Sequence, residues 1–467
     1  MPEDVLALAA ASALSRSYDG FRAVTQLVRL SGGASQETYR LDIATNDGPQ
    51  HLVLRRSPGG AAPEGNVEQI GMPAEAQVLR AVAAAGVPVA KVMAELDPTD
   101  GGGEGFIAGW LDGETLGHRI VKAPALEAVR PQLARECGRI LARIHGVDVT
   151  TSGLDQVLRT VDAEALVRSN WARYQSFGSP QPMIDYTARW LLAHLPPPTT
   201  PALVHADFRN GNLMIDPQGV VGVLDWEISH LGDPMRDLGW LCTASWRFGV
   251  DKPVGGFGEY AELFAGYAEE SGRPVDVERV RFWEVFGSFW WAIGCLFMMQ
   301  QYREGTDATV ERPAIGRRSS ECQVDCVNLL IPGPVALASQ REATDDAMPA
   351  ATELVASVRD FLRNEVAGEG ADRTRFLAKV AANSLDIVLR EARDGPAARE
   401  AEWAGLRALL GSEASLPALR KALCEQLRAG RFALDDPALT AHLRNTVVAQ
   451  ALIDQPGYLG VRKATAG

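Results

Sequence analysis

The stretch Leu203-Val-His-Ala-Asp-Phe-Arg-Asn-Gly-Asn-Leu-Met-Ile-Asp-Pro-Gln-Gly-Val-Val-Gly-Val-Leu-Asp225 decides how this chain is read. It has the form H-x-D-x-x-x-x-N, then a hairpin, then D. Asp216-Pro217-Gln218-Gly219 suits a type I turn closed by a left-handed glycine, which makes a three-residue hairpin loop. In that register Asn212 falls opposite Leu224, to within one position, so Asp225 emerges beside Asn212. A carboxylate and an amide oxygen at adjacent strand ends are hard oxygen ligands of the kind Mg²⁺ takes, with nucleotide phosphates and water completing its shell. Asp207, five residues before Asn212, falls on the loop entering the hairpin, where it can accept a proton from a substrate hydroxyl. Phosphoryl transfer needs this arrangement. Any one of these Asp and Asn residues is as readily a turn or strand-end residue. The full spacing, with His205 in place and Asp225 inside Val-Leu-Asp-Trp-Glu, favours the chemical reading.

Three segments together carry a family resemblance: His205-Ala-Asp207-Phe-Arg-Asn-Gly-Asn212-Leu, Val223-Leu-Asp225-Trp-Glu227 and Leu231-Gly-Asp233-Pro-Met-Arg-Asp237-Leu. The chain resembles the aminoglycoside phosphotransferase (APH-like) kinases from about Gly32 to about Leu330. The resemblance implies an α+β, bilobal protein-kinase-like fold with a small β-rich N-lobe and a helical C-lobe. It also implies that Asp207 is the catalytic base, that Asn212 and Asp225 hold Mg²⁺, and that Asp237 buttresses the catalytic loop. Read from local chemistry alone, Asp233-Pro234 is equally a good N-cap followed by a first helical residue.

The N-terminal part supplies the rest of a nucleotide site. Thr25–Leu30 and Glu37–Ile43 alternate apolar and polar residues and read as a hairpin joined by Ser31-Gly32-Gly33-Ala34-Ser35. Backbone N–H groups at Ser31, Gly32 and Gly33 could cover phosphates. A third strand, His51–Arg56, follows the turn signal Asn46-Asp47-Gly48. Ser57–Gly71 reads as an irregular loop, and Pro73 opens a helix over Ala74–Ala85. Val89–Leu96 and Phe106–Leu111 complete a small sheet. Glu75 shares a helix face with Val78, Leu79 and Val82, so its carboxylate faces the core and demands a partner. Arg55 on the third strand is the natural one. Kinases generally have lysine there, and arginine keeps the charge while adding a fork. Leu52-Val-Leu-Arg-Arg-Ser-Pro58 resembles the family branch associated with acyl-CoA dehydrogenases, which also carries arginine at this point. The run from Gly105 to Leu116 resembles the interlobe hinge, so Gly109, Trp110 and Leu111 would offer backbone groups to adenine.

Beyond Asp112 helical spacing dominates, as in Pro131–His145. Pro332–Ala350, rich in Pro, Gly, Ala and Ser, reads as a linker. About five amphipathic helices follow, with Leu354, Val358, Phe361 and Leu362 marking a face of the first and Phe376, Val380 and Val388 a face of the second. The expected organisation is an N-lobe over 1–108, a C-lobe over 109–335 and an all-α domain over 351–467.

The 467 residues include 46 Lys and Arg against 59 Asp and Glu, a net charge of -13. That balance disfavours a nucleic-acid partner, since such binders carry a basic surplus. Nearly all the acidity lies before residue 341. Six scattered cysteines without C-x-x-C pairs fit a reducing cytoplasm, and Cys322 with Cys326 reads as two buried thiols rather than a metal site. The N-terminus lacks a basic leader. The longest apolar run, Phe286–Met299, falls short of the roughly 18 residues a span needs, so a core helix is expected and no membrane partner. His145 reads as a packed or capping residue, His118 as a surface one, and Trp283, Trp290 and Trp291 as core.

The resulting expectation is a kinase that uses Mg²⁺ and ATP or GTP to phosphorylate a small-molecule hydroxyl. The branch resemblance points to a hydroxyacyl-CoA acceptor, for which Arg317 and Arg318 would supply local cations. The rival readings are an aminoglycoside or macrolide O-phosphotransferase and a nucleotide-binding pseudokinase with a regulatory role.

Overall fold

The computed structural model of the chain describes residues 3–30, 36–57, 69–339, 348–369 and 371–466. Contacts group the chain into two compact units, Met1–Ala163 with Pro197–Glu284 and Glu164–Pro196 with Val285–Gly467. That division cuts through the stretch 109–335, which the sequence reading keeps as one lobe.

The first unit opens with helix α1 (Glu3–Ser17) and strands β1 (Phe21–Arg29), β2 (Glu37–Thr45) and β3 (Gly48–Arg56). Helix α2 (Met72–Ala84) and strands β4 (Val92–Glu95) and β5 (Gly105–Gly109) follow. The strands form one antiparallel sheet in the order β1-β2-β3-β5-β4. Alternation sends every second side chain to one face. Tyr39, Leu41 and Ile43 of β2 and Leu52 and Leu54 of β3 are buried there, and Leu6, Ala9, Ala10, Ala13 and Leu14 of α1 share their core. No helix was expected over residues 3–17, because alanine-rich turns bury small side chains with little polar contrast. β4 is shorter than the expected Val89–Leu96. Before it the backbone carbonyl of Lys91 still accepts the N–H of Gly109 at 2.9 Å. The phosphate loop expected at Ser31, Gly32 and Gly33 lies outside the described residues.

Next come α3 (Gly117–Ile120), α4 (Arg130–His145), α5 (Ala163–Ser176) and α6 (Pro182–Ala193). The chain then returns to the first unit with β6 (Ala202–Val204), β7 (Leu213–Asp216), β8 (Gly219–Val223), β9 (His230–Gly232), α7 (Met235–Cys242) and α8 (Tyr260–Ser271). β6 pairs antiparallel with β9, and β7 with β8. Asp216 Oδ1 accepts the N–H groups of Gln218 and Gly219, and Gly219 takes φ 145°. The hairpin turns at the expected residues, but Asp216 pairs with Gly219, so the loop has two residues rather than three and the register is shifted by an irregularity between Met214 and Ile215.

α4 and α8 pack closely because two glycines remove side chains from their crossing. An added Cβ would lie 2.2 Å from the Leu263 carbonyl oxygen at Gly138 and 2.0 Å from the Arg135 carbonyl oxygen at Gly266. Arg135, Arg139 and Arg143 pair with Glu262, Glu269 and Glu270 along the rim, but exposed pairs of this kind contribute little.

α9 (Val277–Glu304) starts in the first unit and continues in the second. It extends the expected Phe286–Met299 run to 28 residues and has the length and hydropathy of a membrane span, yet 61% of that window is buried within the protein. The remaining helices are α10 (Glu311–Arg317), α11 (Ser319–Leu330), α12 (Ala351–Phe361), α13 (Ala367–Glu369), α14 (Asp372–Leu410), α15 (Leu416–Arg428), α16 (Pro437–Asp454) and α17 (Leu459–Ala466). One core joins Met183 and Tyr186 of α6 and Val324 and Val327 of α11 to Leu419, Leu443 and Val461.

The residues that mark the apolar faces are largely open: Leu354 is 55% exposed, Phe361 51%, and Phe376 48%. Arg359 of α12 and Arg363 just beyond it both pair with Asp386 of α14, at 3.2 and 2.7 Å. The first residues of the expected linker are also held, since Arg444 donates to the carbonyls of Ile331, Pro332 and Pro334. All six cysteines are buried thiols.

Gly266→Ala should lower the unfolding midpoint, since the gain of about 1 kcal/mol usual for Gly→Ala in a helix is outweighed by overpacking of roughly 1–3 kcal/mol. Thermal unfolding monitored at 222 nm checks the sign. His230 on β9 is 3% exposed and accepts from Arg236 at Nε2, and burial, reinforced by that cation, pushes its pKa from 6.5 down to about 3. The unfolded chain therefore binds an extra proton below pH 6.5, and this group's contribution is lost as pH falls toward 3. Relative to His230→Gln, the natural chain should lose about 1.4 kcal/mol more per pH unit in that window, read from urea midpoints.

Candidate functional site

The catalytic-loop segment lies between β6 and β7. Asp237 on α7 is fully buried and accepts the backbone N–H groups of His205 and Ala206, each at 2.8 Å, and His145 Nε2 at 3.1 Å. Burial pushes this carboxyl up, but His145 and His205 hold it below the ordinary carboxylate range. His145 is in turn fixed by Tyr267, 3.0 Å from Nδ1. Ala206 takes φ 70°, a left-handed conformation that costs a residue with a Cβ roughly 1–2 kcal/mol. Its N–H bond to Asp237 compensates for that strain.

His205 packs against Trp226, with ring centroids 4.4 Å apart. Its Nδ1 accepts the N–H of Asp207 at 3.1 Å, so Nε2 carries the proton and donates to the Leu224 carbonyl at 2.9 Å. Burial lowers its pKa and keeps the ring neutral, as that bonding requires. His205 therefore ties the loop to the strand end that precedes Asp225.

The Asp207 carboxylate receives three donors. Trp240 Nε1 and Arg209 Nε reach Oδ1 at 2.7 and 3.0 Å, and Asn212 Nδ2 reaches Oδ2 at 2.6 Å. Arg209 also lies 4.3 Å over the Trp246 ring. Asn212 Nδ2 bonds the Asp207 carbonyl as well, at 3.0 Å, so its Oδ1 is the atom left to act as a ligand. Leu213 pairs with Val223, and Leu224 N–H donates to the Asn212 carbonyl at 2.8 Å. Asp225 thus follows immediately, in a left-handed conformation of φ 69° that is sparsely populated and redirects its side chain.

Arg55 on β3 reaches from the sheet to this point. Its Nη1 meets Glu75 Oε1 at 2.8 Å, and its Nη2 meets Asp225 Oδ1 at 3.3 Å and also bonds Gln36 Oε1. Gln36 closes the network by donating to Glu75 Oε2 at 2.9 Å. Glu75 is fully buried, and burial raises its pKa against the pull of Arg55. The described residues contain no group of three His, Cys, Asp or Glu side chains placed to hold a metal unaided. Asn212 Oδ1 and the 36%-exposed Asp225 carboxylate are nonetheless the hard, partial donor set that suits Mg²⁺ when phosphates supply the remaining oxygens.

The structure thus brings together Asp207, Asn212, Asp225, Arg55 and Glu75. It does not leave all of the expected hinge available, because the Gly109 N–H is spent on Lys91. Trp110 and Leu111 follow β5, with the Trp110 indole bonded to Asp112 at 2.9 Å. Arg317 and Arg318, expected as cations for an acceptor, are committed to Glu391 and Asp454 and to Glu321. Sequence reasoning missed Trp240, Arg209 and Gln36. Trp240 had a signal: it lies three residues after Asp237 on one helix, so the two share a face. His118 is exposed, and the Asp233 carboxylate accepts the Met235 N–H at 3.0 Å as a cap.

Comparison with known proteins identifies the family. Residues 26–283 match the phosphotransferase enzyme family, and residues 368–458 match a domain of unknown function (DUF6285). Mouse acyl-CoA dehydrogenase family member 10 is 31% identical over 228 residues, covering 47% of this chain and 20% of that protein. The Arabidopsis thaliana protein named probable acyl-CoA dehydrogenase IBR3 is 28% identical over 287 residues, covering 55% and 34%. The chain thus spans a fifth to a third of these curated relatives. A crystal structure from Ralstonia eutropha, provisionally called an aminoglycoside phosphotransferase, superposes with a TM-score of 0.56 at 25% identity, covering 69% of this chain and 97% of that one. The reaction class that follows is phosphoryl transfer to a hydroxyl group. A polypeptide whose residues 26–283 match the family over more than half its length, and whose loop, hairpin and sheet arginine converge as described, belongs to the phosphotransferase enzyme family.

Proposed function

We infer that the chain moves the γ-phosphoryl of ATP onto a hydroxyl of a small molecule with the help of Mg²⁺. The observation that carries this reading is the convergence of Asp207, Asn212 and Asp225, with the Arg55 and Glu75 pair reaching Asp225 from the sheet. Asp207 accepts the proton of the acceptor hydroxyl at Oδ2, since Oδ1 already holds two donors. The acceptor oxygen forms its bond to the γ-phosphorus as the bond from that phosphorus to the bridging oxygen breaks, and the electron pair leaves with ADP. Asn212 Oδ1 and Asp225 are the groups that would hold the metal, which neutralises charge on the phosphate oxygens when bound. Arg55 contributes a fixed cation for the α- and β-phosphates, and Glu75 with Gln36 keeps its fork oriented.

For the acceptor we infer a hydroxyacyl thioester of coenzyme A. Two observations support it: both curated relatives named above are acyl-CoA dehydrogenases by name, and β3 carries arginine rather than lysine. A cationic antibiotic is the competing acceptor, favoured by the acidic balance of the chain and by the name of the Ralstonia protein. A cytoplasmic setting suits either acceptor.

Labelled ATP supplied with hydroxyacyl-CoAs, aminoglycosides, macrolides and choline-like alcohols tests the reading, and a phosphorylated thioester is the expected product. Asp207→Asn should lower turnover by about 10²–10⁴, the usual worth of a positioned base, while leaving the thermal midpoint near that of the natural chain. Equal turnover in natural and substituted proteins would instead identify a pseudokinase. Arg55→Lys should retain part of the activity. In Arg55→Met/Glu75→Gln, which removes the cation without stranding a buried carboxylate, kcat/KM for ATP should fall about 10–100-fold.

A further inference from the structure

The second unit contains a cavity of about 420 Å³, between the start of α6, the ends of α9 and α10, and α11, α14 and α16. It is partly open to solvent, since Arg317 and Arg399 of its lining are 40% and 47% exposed, and its volume falls within the roughly 300–1,000 Å³ common for ligand sites. Its lining is divided by chemistry. Leu296 and Met299 of α9 and Leu443, Val447 and Ile453 of α16 supply apolar surface, and ionic groups from α9, α10, α14, α15 and α16 stand beside them.

The ionic part is nearly self-compensated. Arg317 bridges Glu391 and Asp454 at 2.7 and 2.6 Å, Arg399 shares Glu391, and Arg420 holds Glu402 at 2.6 Å. Glu402 and Asp454 are buried, while the arginines that meet them keep a third or more of their side chains in solvent. His442 is kept neutral by burial. Arg303, at the end of α9, is a fourth lining cation, and among the described residues it pairs with no carboxylate. Four arginines face three carboxylates, which leaves one surplus positive charge beside an aliphatic wall.

Two glycines lie along the lining. Gly316 lets α10 approach α9, since a Cβ there would lie 2.8 Å from Met299 Cβ, and a Cβ at Gly395 of α14 would meet only the movable ends of Arg399 and Glu391.

We propose that this cavity binds an amphipathic monoanion, an aliphatic carboxylic acid whose carboxylate meets Arg303 and whose chain lies along Leu296, Met299, Leu443 and Val447. Such a site stands apart from phosphoryl transfer and needs neither ATP nor metal.

Calorimetric titration of the full chain with hexanoate, 3-hydroxyhexanoate, hexanol and hexylammonium, without nucleotide, tests it. Saturable one-site binding of the two acids, at least about tenfold tighter than the alcohol or the amine, is expected. That ratio corresponds to about 1.4 kcal/mol. Arg303→Gln, a change at an exposed position, should weaken the acids about tenfold and leave hexanol unaffected, and Ala449→Phe should abolish binding by filling the space. Absence of saturable acid binding at millimolar concentration, equal binding of hexylammonium, or acid binding unchanged in both variants overturns the proposal. ATP turnover measured on the same samples reports the kinase reading separately.

Discussion

The Asp237 carboxylate is the constraint on which the site depends. It is fully buried, and a charge in that position is tolerable only when its oxygens are satisfied. The partners it takes are the N–H groups of His205 and Ala206 and the imidazole of His145. With those bonds in place the loop can hold Ala206 at a positive φ without glycine, and Asp207 emerges at a fixed angle. One turn further along α7, Trp240 bonds the Asp207 carboxylate itself. A single two-turn helix thereby positions both the backbone and the side chain of the loop. Asp233 caps that helix and pairs with Arg279 at 2.8 Å, and Gly239 lies against Trp283 where a Cβ would come within 2.5 Å.

The same logic explains what was legible in the sequence. Asp207, Asn212 and Asp225 could be placed because a hairpin has a two-residue period and a turn with known chemistry, so spacing converts directly into position. The observed pairing of Leu213 with Val223, and the Leu224 N–H bond to the Asn212 carbonyl, match that expectation because a register shift between Met214 and Ile215 offsets a loop one residue shorter than expected. Glu75 and Arg55 could be paired because a buried carboxylate on a helix face needs a cation and the third strand offered one. Trp240, Arg209 and Gln36 were not found. Their importance arises from contacts between elements, and neither an indole nor a glutamine declares by type that it will donate to a carboxylate.

The helical unit was less legible for a related reason. Periodicity identifies an apolar face but not what covers it: Leu354, Val358 and Phe361 mark such a face and are exposed, while Arg359 of α12 and Arg363 just beyond it pair with Asp386 of α14. Conversely, residues 182–193 and 319–330 were assigned with the preceding helices, yet Tyr186, Val324 and Val327 bury themselves with Leu419, Leu443 and Val448. Asp185 makes the attachment polar as well as apolar, accepting both Nε and Nη2 of Arg428 at 2.8 and 3.1 Å and the Trp171 indole at 2.7 Å. A chain ending near Pro332 would expose the apolar side of α6 and α11 and leave Asp185 buried without its cation. The C-terminal helices are therefore a structural part of the second unit.

Arginine at position 55 bears on whether the missing lysine signifies lost chemistry. A lysine ammonium is a point charge that could meet Glu75 but has no fixed geometry for further partners. The planar fork of Arg55 contacts Glu75 from one nitrogen and Gln36 and Asp225 from another. Because Asp225 sits at a positive φ on a separate element, this contact links the sheet to the strand end that follows the hairpin. Glu75 is buried, so removing the guanidinium alone would strand its carboxylate, and the Arg55 network is therefore a structural constraint whatever chemistry it serves. The orientation of the fork is supplied by Gln36 and Glu75 together.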